Sequence, residues 1–169
     1  EADDLIATVI DQTGAKAHHV IVTTDKDMTQ LVSERVTVYD PGRGLRFDAA
    51  AVEAKFGVRP DQITDFLGLA GDAVDNIPGV KGIGPKTAAD LLRRYGSLEG
   101  VYQNVPSMKH NAMRANLERD VSMAGLSKRL ATVSTAAPLR VDVDALRHRG
   151  PDERRLKAFA EKFGHTVPR

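Results

Sequence analysis

Val20-Ile21-Val22-Thr23-Thr24-Asp25-Lys26-Asp27 decides the fold. The β-branched run over residues 20–24 has no polar interruption, which is the composition of a parallel strand covered on both faces. It runs straight into two acids, and open α/β sheets bind their ligands at the carboxyl ends of such strands. Before it, Leu5, Ile6, Val9 and Ile10 recur on one face of a helix over residues 3–13, closed by Gly14. After it, Met28, Leu31 and Val32 read as a short helix. Residues 36–39 read as a second strand, Pro41-Gly42-Arg43-Gly44 as a turn, and Leu45-Arg46-Phe47 as its hairpin partner. Alternating elements predict an α/β fold with a partial, mostly parallel sheet.

Strand signals stop beyond Asp48. Residues 49–56, 62–69, 86–95 and 98–103 read as helices separated by Gly or Pro. Met113, Leu117 and Val121 stand four apart and predict one longer helix from about Asn111. Leu156, Phe159, Ala160 and Phe163 predict a last helix entered through Pro151. Residues 134–143 read as a loop with one short extended piece. The expected division is 1–58, an α/β part, and 59–169, a helical region.

The chain has 169 residues, enough for one domain and a small satellite. The absence of Cys excludes a disulfide scaffold and fits a cytoplasmic protein. Apolar residues at 41% and charged residues at 28% are ordinary for a globular chain, and no apolar run is long enough for a membrane helix. The net charge of +1 conceals an asymmetry: residues 1–75 hold 14 acids against 7 bases, and residues 76–169 hold 9 acids against 17 bases. A basic half of that kind hints at nucleic acid. The chain opens at Glu1, inside a helical pattern and without Met, and so reads as a fragment or processed piece.

Three short segments concentrate acids: Glu1-Ala2-Asp3-Asp4, Thr24-Asp25-Lys26-Asp27, and Gly71-Asp72-Ala73-Val74-Asp75-Asn76. Each has an ordinary structural explanation. First-turn acids complement a helix dipole, Asp27 with Gln30 forms a capping-box pattern, and Asp72 or Asp75 suits an Asx turn or N-cap. Their combined placement suggests convergence. Two carboxylates 4 Å apart repel by about 4 kcal/mol at an effective dielectric near 20, and Lys26 is the one base inside the three segments. Divalent cations would relieve that repulsion. An all-oxygen donor set suits two Mg²⁺ or Mn²⁺ ions rather than zinc, with His18, His19, His110, His148 and His165 merely scattered. Such a pair can clamp the attacking and leaving oxygens of a phosphodiester hydrolysis.

Ile77-Pro78-Gly79-Val80-Lys81-Gly82-Ile83-Gly84-Pro85-Lys86-Thr87 is not a P-loop, because Pro85 separates Gly84 from Lys86 and no hydrophobic strand leads in. Gly82 and Gly84 instead permit a turn between helices, and Pro85 starts the second helix. Its free N–H groups, Lys81, Lys86 and the Thr87 hydroxyl suit a phosphate backbone, without reading bases. Ala88, Leu91 and Leu92 would bury that helix. Arg93, Arg94, Lys109, Arg114, Arg119, Lys128 and Arg129 extend the basic half, and some are expected to track a duplex. Aromatics at 5% make extensive base stacking a poor expectation.

The three acidic segments and the glycine-rich turn, in this order and spacing, resemble the 5′-nuclease family. Specifically, they resemble the 5′→3′ exonuclease domain of bacterial DNA polymerase I and its stand-alone relatives, which are similar to flap endonucleases. The resemblance is clear over residues 1–102. It implies a structure-selective, cytoplasmic and nucleoid-associated nuclease, acting as a monomer on duplex DNA with a 5′ end or flap, with a polymerase possible in the same chain. By position it implies that Glu1, Asp3 and Asp4 serve a first metal, that Asp25 lies between the sites, and that Asp27, Asp72 and Asp75 serve a second. Asp3, Asp4, Asp25 and Asp27 would be the catalytic group. The helix-hairpin-helix-like motif, at about residues 72–95, would hold the backbone through Gly79, Lys81, Gly82, Gly84, Lys86 and Thr87. Val80 and Ile83 would offer main-chain carbonyls to K⁺. Family members carry a longer N-terminal section, with a first strand and an arch. The 169 residues alone are therefore expected to bind DNA weakly and cleave poorly, with a sheet edge unpaired. The alternative is a non-catalytic duplex-binding module in which the acids are caps, or a scaffolding domain of a larger polymerase chain.

Overall fold

The computed structural model describes residues 1–14, 17–140, 142, 145–148 and 150–164. Helix α1 (Ala2–Thr13) leads to β1 (His19–Val22), a 3₁₀ turn over Asp27–Leu31, β2 (Val36–Asp40) and β3 (Leu45–Phe47). Six helices follow: α2 (Ala49–Phe56), α3 (Ile63–Ala70), α4 (Pro85–Tyr95), α5 (Leu98–Asn104), α6 (Ala112–Arg119) and α7 (Val121–Ala131). These elements lie in one compact unit, Glu1–Leu139. The remainder, Arg140–Arg169, is a separate unit whose described helix is α8 (Glu153–Phe163).

The sheet has the order β1-β2-β3. β1 runs parallel to β2 with His19 opposite Val36 and Val22 opposite Tyr39, while β2 and β3 form the antiparallel hairpin. The fold is therefore α/β, with one parallel and one antiparallel pairing. Asp40 ends β2, and its Oδ1 accepts from the N–H groups of Gly42 (2.9 Å) and Arg43 (3.1 Å), which satisfies the turn into β3. β2 alternates cleanly, with Val36, Val38 and Asp40 buried. Ile21, Val38 and Phe47 meet Val52 of α2 and Ile63, Phe66, Leu67 and Leu69 of α3 in one continuous core.

Several expectations change in detail. The apolar face of α1 is only half covered: Ile6 and Ile10 pack against the core, yet all four of Leu5, Ile6, Val9 and Ile10 line a groove of about 450 Å³ beside β1. That groove exists because β1 is the terminal strand. Residues 27–31 form a 3₁₀ turn rather than an α-helix, and no Asp27 side chain caps it. Gln30 does not complete a capping box: its amide N–H₂ donates to the Ala131 carbonyl at 2.9 Å, and its Oε1 accepts from Val133 N–H at 3.1 Å. The single helix expected from Asn111 through Val121 is two, broken at Asp120 (φ −100°, ψ 19°), whose carboxylate is drawn away by Arg119 and by the Lys81 N–H. No strand falls in the described part of 134–143, residues 134–140 and 142; positions 141 and 143 lie outside the described residues. His165 lies outside them also.

α3 and α7 pack along their lengths. Lys128 of α7 reaches the buried Asp65 of α3 at 2.6 Å and Glu99 of α5 at 2.8 Å, a three-way pairing that satisfies an otherwise isolated interior charge. Ala88 and Leu92 of α4 are fully buried, and Leu91 nearly so, as the helical spacing predicts.

Candidate nuclease site

The segment between α3 and α4 is folded by glycine. Gly71 (φ +70°) and Gly79 (φ +61°) sit against each other so closely that a Cβ on Gly71 would lie 2.6 Å from the Ile77 carbonyl oxygen. Between them, Asp72 and Ile77 exchange both backbone hydrogen bonds, at 2.7 and 2.8 Å. The Asp72 Oδ1 accepts from Val74 N–H at 2.9 Å, so the Asx turn expected there is formed. Asn76 takes the left-handed conformation (φ 56°) that Asn tolerates. This pinched loop turns Asp72 inward, where it is buried, and leaves Asp75 exposed above it.

After β1, the Asp25 carboxylate accepts from the Asp27 N–H at 2.9 Å. That turn directs Asp27 toward the Asp72 loop. Ligand oxygens of Asp27, Asp72 and Asp75 lie within 4.8 Å of one another. A cavity of about 520 Å³ is walled by Glu1, Asp3 and Asp4 from the start of α1, by Asp25 and Asp27, by Asp75, and by residues 129–134 at the end of α7. Six of the seven acids singled out by sequence line this one space, and Asp72 joins them through the Asp27–Asp75 contact. Ser134 N–H donates to the Asp4 carboxylate at 2.7 Å, tying the segment after α7 to α1.

Mutual repulsion leaves its mark on the carboxyl groups. Asp27 is pushed up to about 6 by burial, opposed by Lys26 and reinforced by Asp25, Asp72 and Asp75. Asp3 is raised by burial and by Asp25, Glu1 and Asp4. Burial would also raise Asp72, but the Lys26 ammonium and the Val74 and Asp75 N–H groups outweigh it and hold the carboxyl below its usual range. Lys26 is the residue whose part the sequence did not reveal. Its Nζ bonds the Asp72 carboxylate and stands 3.7 Å from both Asp27 and Asp75. The Asp27 Oδ1 remains buried without a hydrogen-bond partner. An orphaned carboxylate oxygen within an all-oxygen cluster fits a hard divalent cation.

The glycine-rich turn lies on the far side of the same loop. Val80 N–H donates to the Leu69 carbonyl, Ile83 N–H to the Val80 carbonyl, and Gly79 N–H to the Ser127 hydroxyl of α7. Val80 and Ile83 are buried by their side chains. Gly82 makes the turn with φ +77°, whereas Gly84 is extended and stands at the N-cap of α4, where a Cβ would meet nothing. No side chain caps that helix, Pro85 occupies its first position, and Lys81 and Lys86 are exposed around it. One donor of the turn is already used, since Lys81 N–H bonds Asp120 Oδ2 at 3.0 Å. Of the downstream bases, Arg93, Arg114, Arg119 and Lys128 are held by Asp90, Glu118, Asp120 and the Asp65–Glu99 pair. Ser127 and Asp120, which brace the turn from helices about 40 residues downstream, gave no signal in the sequence.

Residues 1–57 match the family model of the 5′-3′ exonuclease N-terminal resolvase-like domain, and residues 58–154 match that of the 5′-3′ exonuclease C-terminal SAM fold. The thermostable DNA polymerase I of Thermus thermophilus is 42% identical over 164 residues, covering 96% of this chain and 19% of its own length. A bacteriophage T5 5′-exonuclease with zinc bound superposes with a TM-score of 0.73 at 23% identity, over 78% of this chain and 49% of that one. A T5 flap endonuclease in complex with DNA and metal ions gives 0.72 at 22% identity, over 78% and 49%. The chain spans about a fifth of the length of the curated relatives it matches. Two adjoining family models account for all but the last residues, and the acidic convergence and glycine-rich turn fall within them: the chain belongs to the 5′-3′ exonuclease family.

Proposed function

We propose that the chain acts in a structure-selective 5′→3′ exonuclease or 5′-flap endonuclease, hydrolysing phosphodiester bonds of duplex DNA bearing a 5′ end or flap. The observation that carries this reading is the meeting of acids from three distant segments, with a buried Asp27 oxygen that has no hydrogen bond among them. Glu1, Asp3 and Asp4 would hold a first divalent cation, Mg²⁺ or Mn²⁺, and Asp27, Asp72 and Asp75 a second, with Asp25 between. The ions supply charge neutralisation and an activated water; the chain's own carboxylates position them. Asp3, Asp4, Asp25 and Asp27 would be the catalytic group facing the reacting phosphate. The N-terminus of α4, with Gly79, Lys81, Gly82, Gly84, Lys86 and Thr87, would hold a backbone phosphate and so set which bond enters the cavity. The Val80 and Ile83 carbonyls would take K⁺ at that turn.

The metal-bearing T5 exonuclease and the DNA-bound T5 flap endonuclease support this reading through shared fold. The DNA polymerase I relatives support a polymerase domain in the same chain; that the protein is monomeric, cytoplasmic and nucleoid-associated belongs to the same proposal. A division near residue 58, between sheet-bearing core and helical region, belongs to the same proposal. The competing reading is a non-catalytic duplex-binding module, which gains from Lys26 already neutralising part of the cluster.

Thermal unfolding with and without Mg²⁺ separates the two. At a hundred times its dissociation constant, one bound ion stabilises by about 2.7 kcal/mol. The wild type should therefore melt several degrees higher in Mg²⁺, and the Asp27→Asn/Asp75→Asn double variant should lose the share of that shift owed to the second ion, with duplex affinity little changed in either. An equal Mg²⁺ response in both proteins would leave only the duplex-binding reading.

A further inference from the structure

We propose that Lys26 is a resident counter-ion of the Asp27–Asp72–Asp75 cluster, which a divalent cation must displace, so that this one side chain sets the cation concentration at which that half of the site fills. The inference rests on the two-ion reading above and adds a regulatory element to it. Lys26 lies between the two acids of its own segment, and its main chain is pinned: Thr29 donates to the Lys26 carbonyl from its N–H at 3.0 Å and from its hydroxyl at 2.6 Å. With the main chain held there, the ammonium reaches three carboxylates at once, bonding Asp72 and standing 3.7 Å from Asp27 and Asp75. Asp72 is almost wholly enclosed, so its negative charge would otherwise have little water to stabilise it.

A dication entering this cluster meets a positive charge in contact with three of its own ligands. Repulsion at that range is only partly screened by solvent. Both cannot be accommodated with the ammonium where it stands, and the structure offers it a way out. The Lys26 side chain borders a second cavity of about 320 Å³, whose wall is apolar at Phe56, Phe66, Leu67 and Gly71 and carries Lys55 as well. An ammonium on a flexible four-carbon stem can swing along such an apolar wall toward solvent while its methylenes stay packed. Lys26 thus stabilises the metal-free cluster and competes with the metal-bound one.

Mn²⁺ binding to the 169-residue chain tests this directly, by calorimetry or by loss of the free-ion paramagnetic resonance signal. Lys26→Gln should bind Mn²⁺ about tenfold more tightly than wild type, and Lys26→Arg, which keeps the charge, should not. Without metal, Lys26→Gln should melt below wild type, and saturating Mn²⁺ should close the gap. Lys26→Met, which preserves the apolar stem, should behave as Lys26→Gln does. In the wild type itself, the Lys26 side-chain resonances should move as Mg²⁺ fills the cluster. Wild-type binding with unchanged or weaker affinity in Lys26→Gln, or Lys26 resonances indifferent to saturating Mg²⁺, would overturn the counter-ion role and leave the two-ion reading standing. Failure of wild type and Lys26→Gln alike to bind Mn²⁺ would overturn both.

Discussion

Asp120 shows how much one side chain can decide. Its carboxylate takes a bidentate pair from Arg119, at 2.6 and 2.7 Å, and the Lys81 N–H at 3.0 Å, breaking a continuous helical pattern while anchoring the glycine-rich turn. The Arg119 hydrogen bonds and the Lys81 N–H hold the carboxyl down at about 2, against an ordinary 3.8. For an acid lowered in the folded state, the stabilisation is complete above the ordinary value and disappears as pH falls through the lowered one. Urea midpoints should accordingly fall between about pH 4 and pH 2 in the wild type, and Asp120→Asn should flatten part of that fall and start from a lower midpoint at pH 7. An unchanged profile would mean that Asp120 does not hold the turn in solution. The sequence showed this residue only as one more charge, because its partners are a neighbour and an N–H 39 positions away.

Among the elements, the α3–turn–α4 unit depends on a backbone contact that no side chain can share. A methyl group on Gly79 would run into the Gly71 backbone and would also have to accept φ +61°. Gly79→Ala should therefore cost about 2 to 3 kcal/mol in urea denaturation. Gly84→Ala, at an extended position facing open space, should cost under about 1 kcal/mol. If α4 presents its N-terminus to a phosphate, Gly84→Ala should weaken duplex binding more than it weakens the fold, and equal losses would argue against that contact. The helix boundaries of this unit were legible because Gly and Pro punctuate them. The 3₁₀ turn over Asp27–Leu31 was not, since Met28 and Leu31 have the same spacing in either helix type and tertiary packing of Met28 and Thr29 selects the tighter one.

For the whole molecule, β1 is one of the sheet's two edge strands among the described residues, and it is not covered on both faces as its β-branched run predicts. Val20 is 51% and Val22 is 64% exposed, beside the groove left by Leu5 and Val9 of α1. An unpaired apolar strand edge invites association between chains. In the 169 residues taken alone, Val22→Lys should reduce any concentration-dependent self-association seen in sedimentation, with little effect on the melting temperature. Duplex DNA affinity should fall linearly with salt on logarithmic axes, as expected for a basic surface that releases counter-ions, and a flat dependence would remove the phosphate-gripping role of the second half. Sequence alone determined what is local or periodic: the β-branched strand running into acids, the hairpin at Pro41–Gly44, the helices near 86–95 and 98–103, and the three acidic segments with their glycine-rich turn. Those features depend on backbone preference and residue spacing, both carried by neighbouring positions. Tertiary structure decided which charges meet. Lys26 among three carboxylates, Lys128 between Asp65 and Glu99, and Ser127 beneath Gly79 are pairings across the fold, and only the packed chain brings those atoms within range of one another.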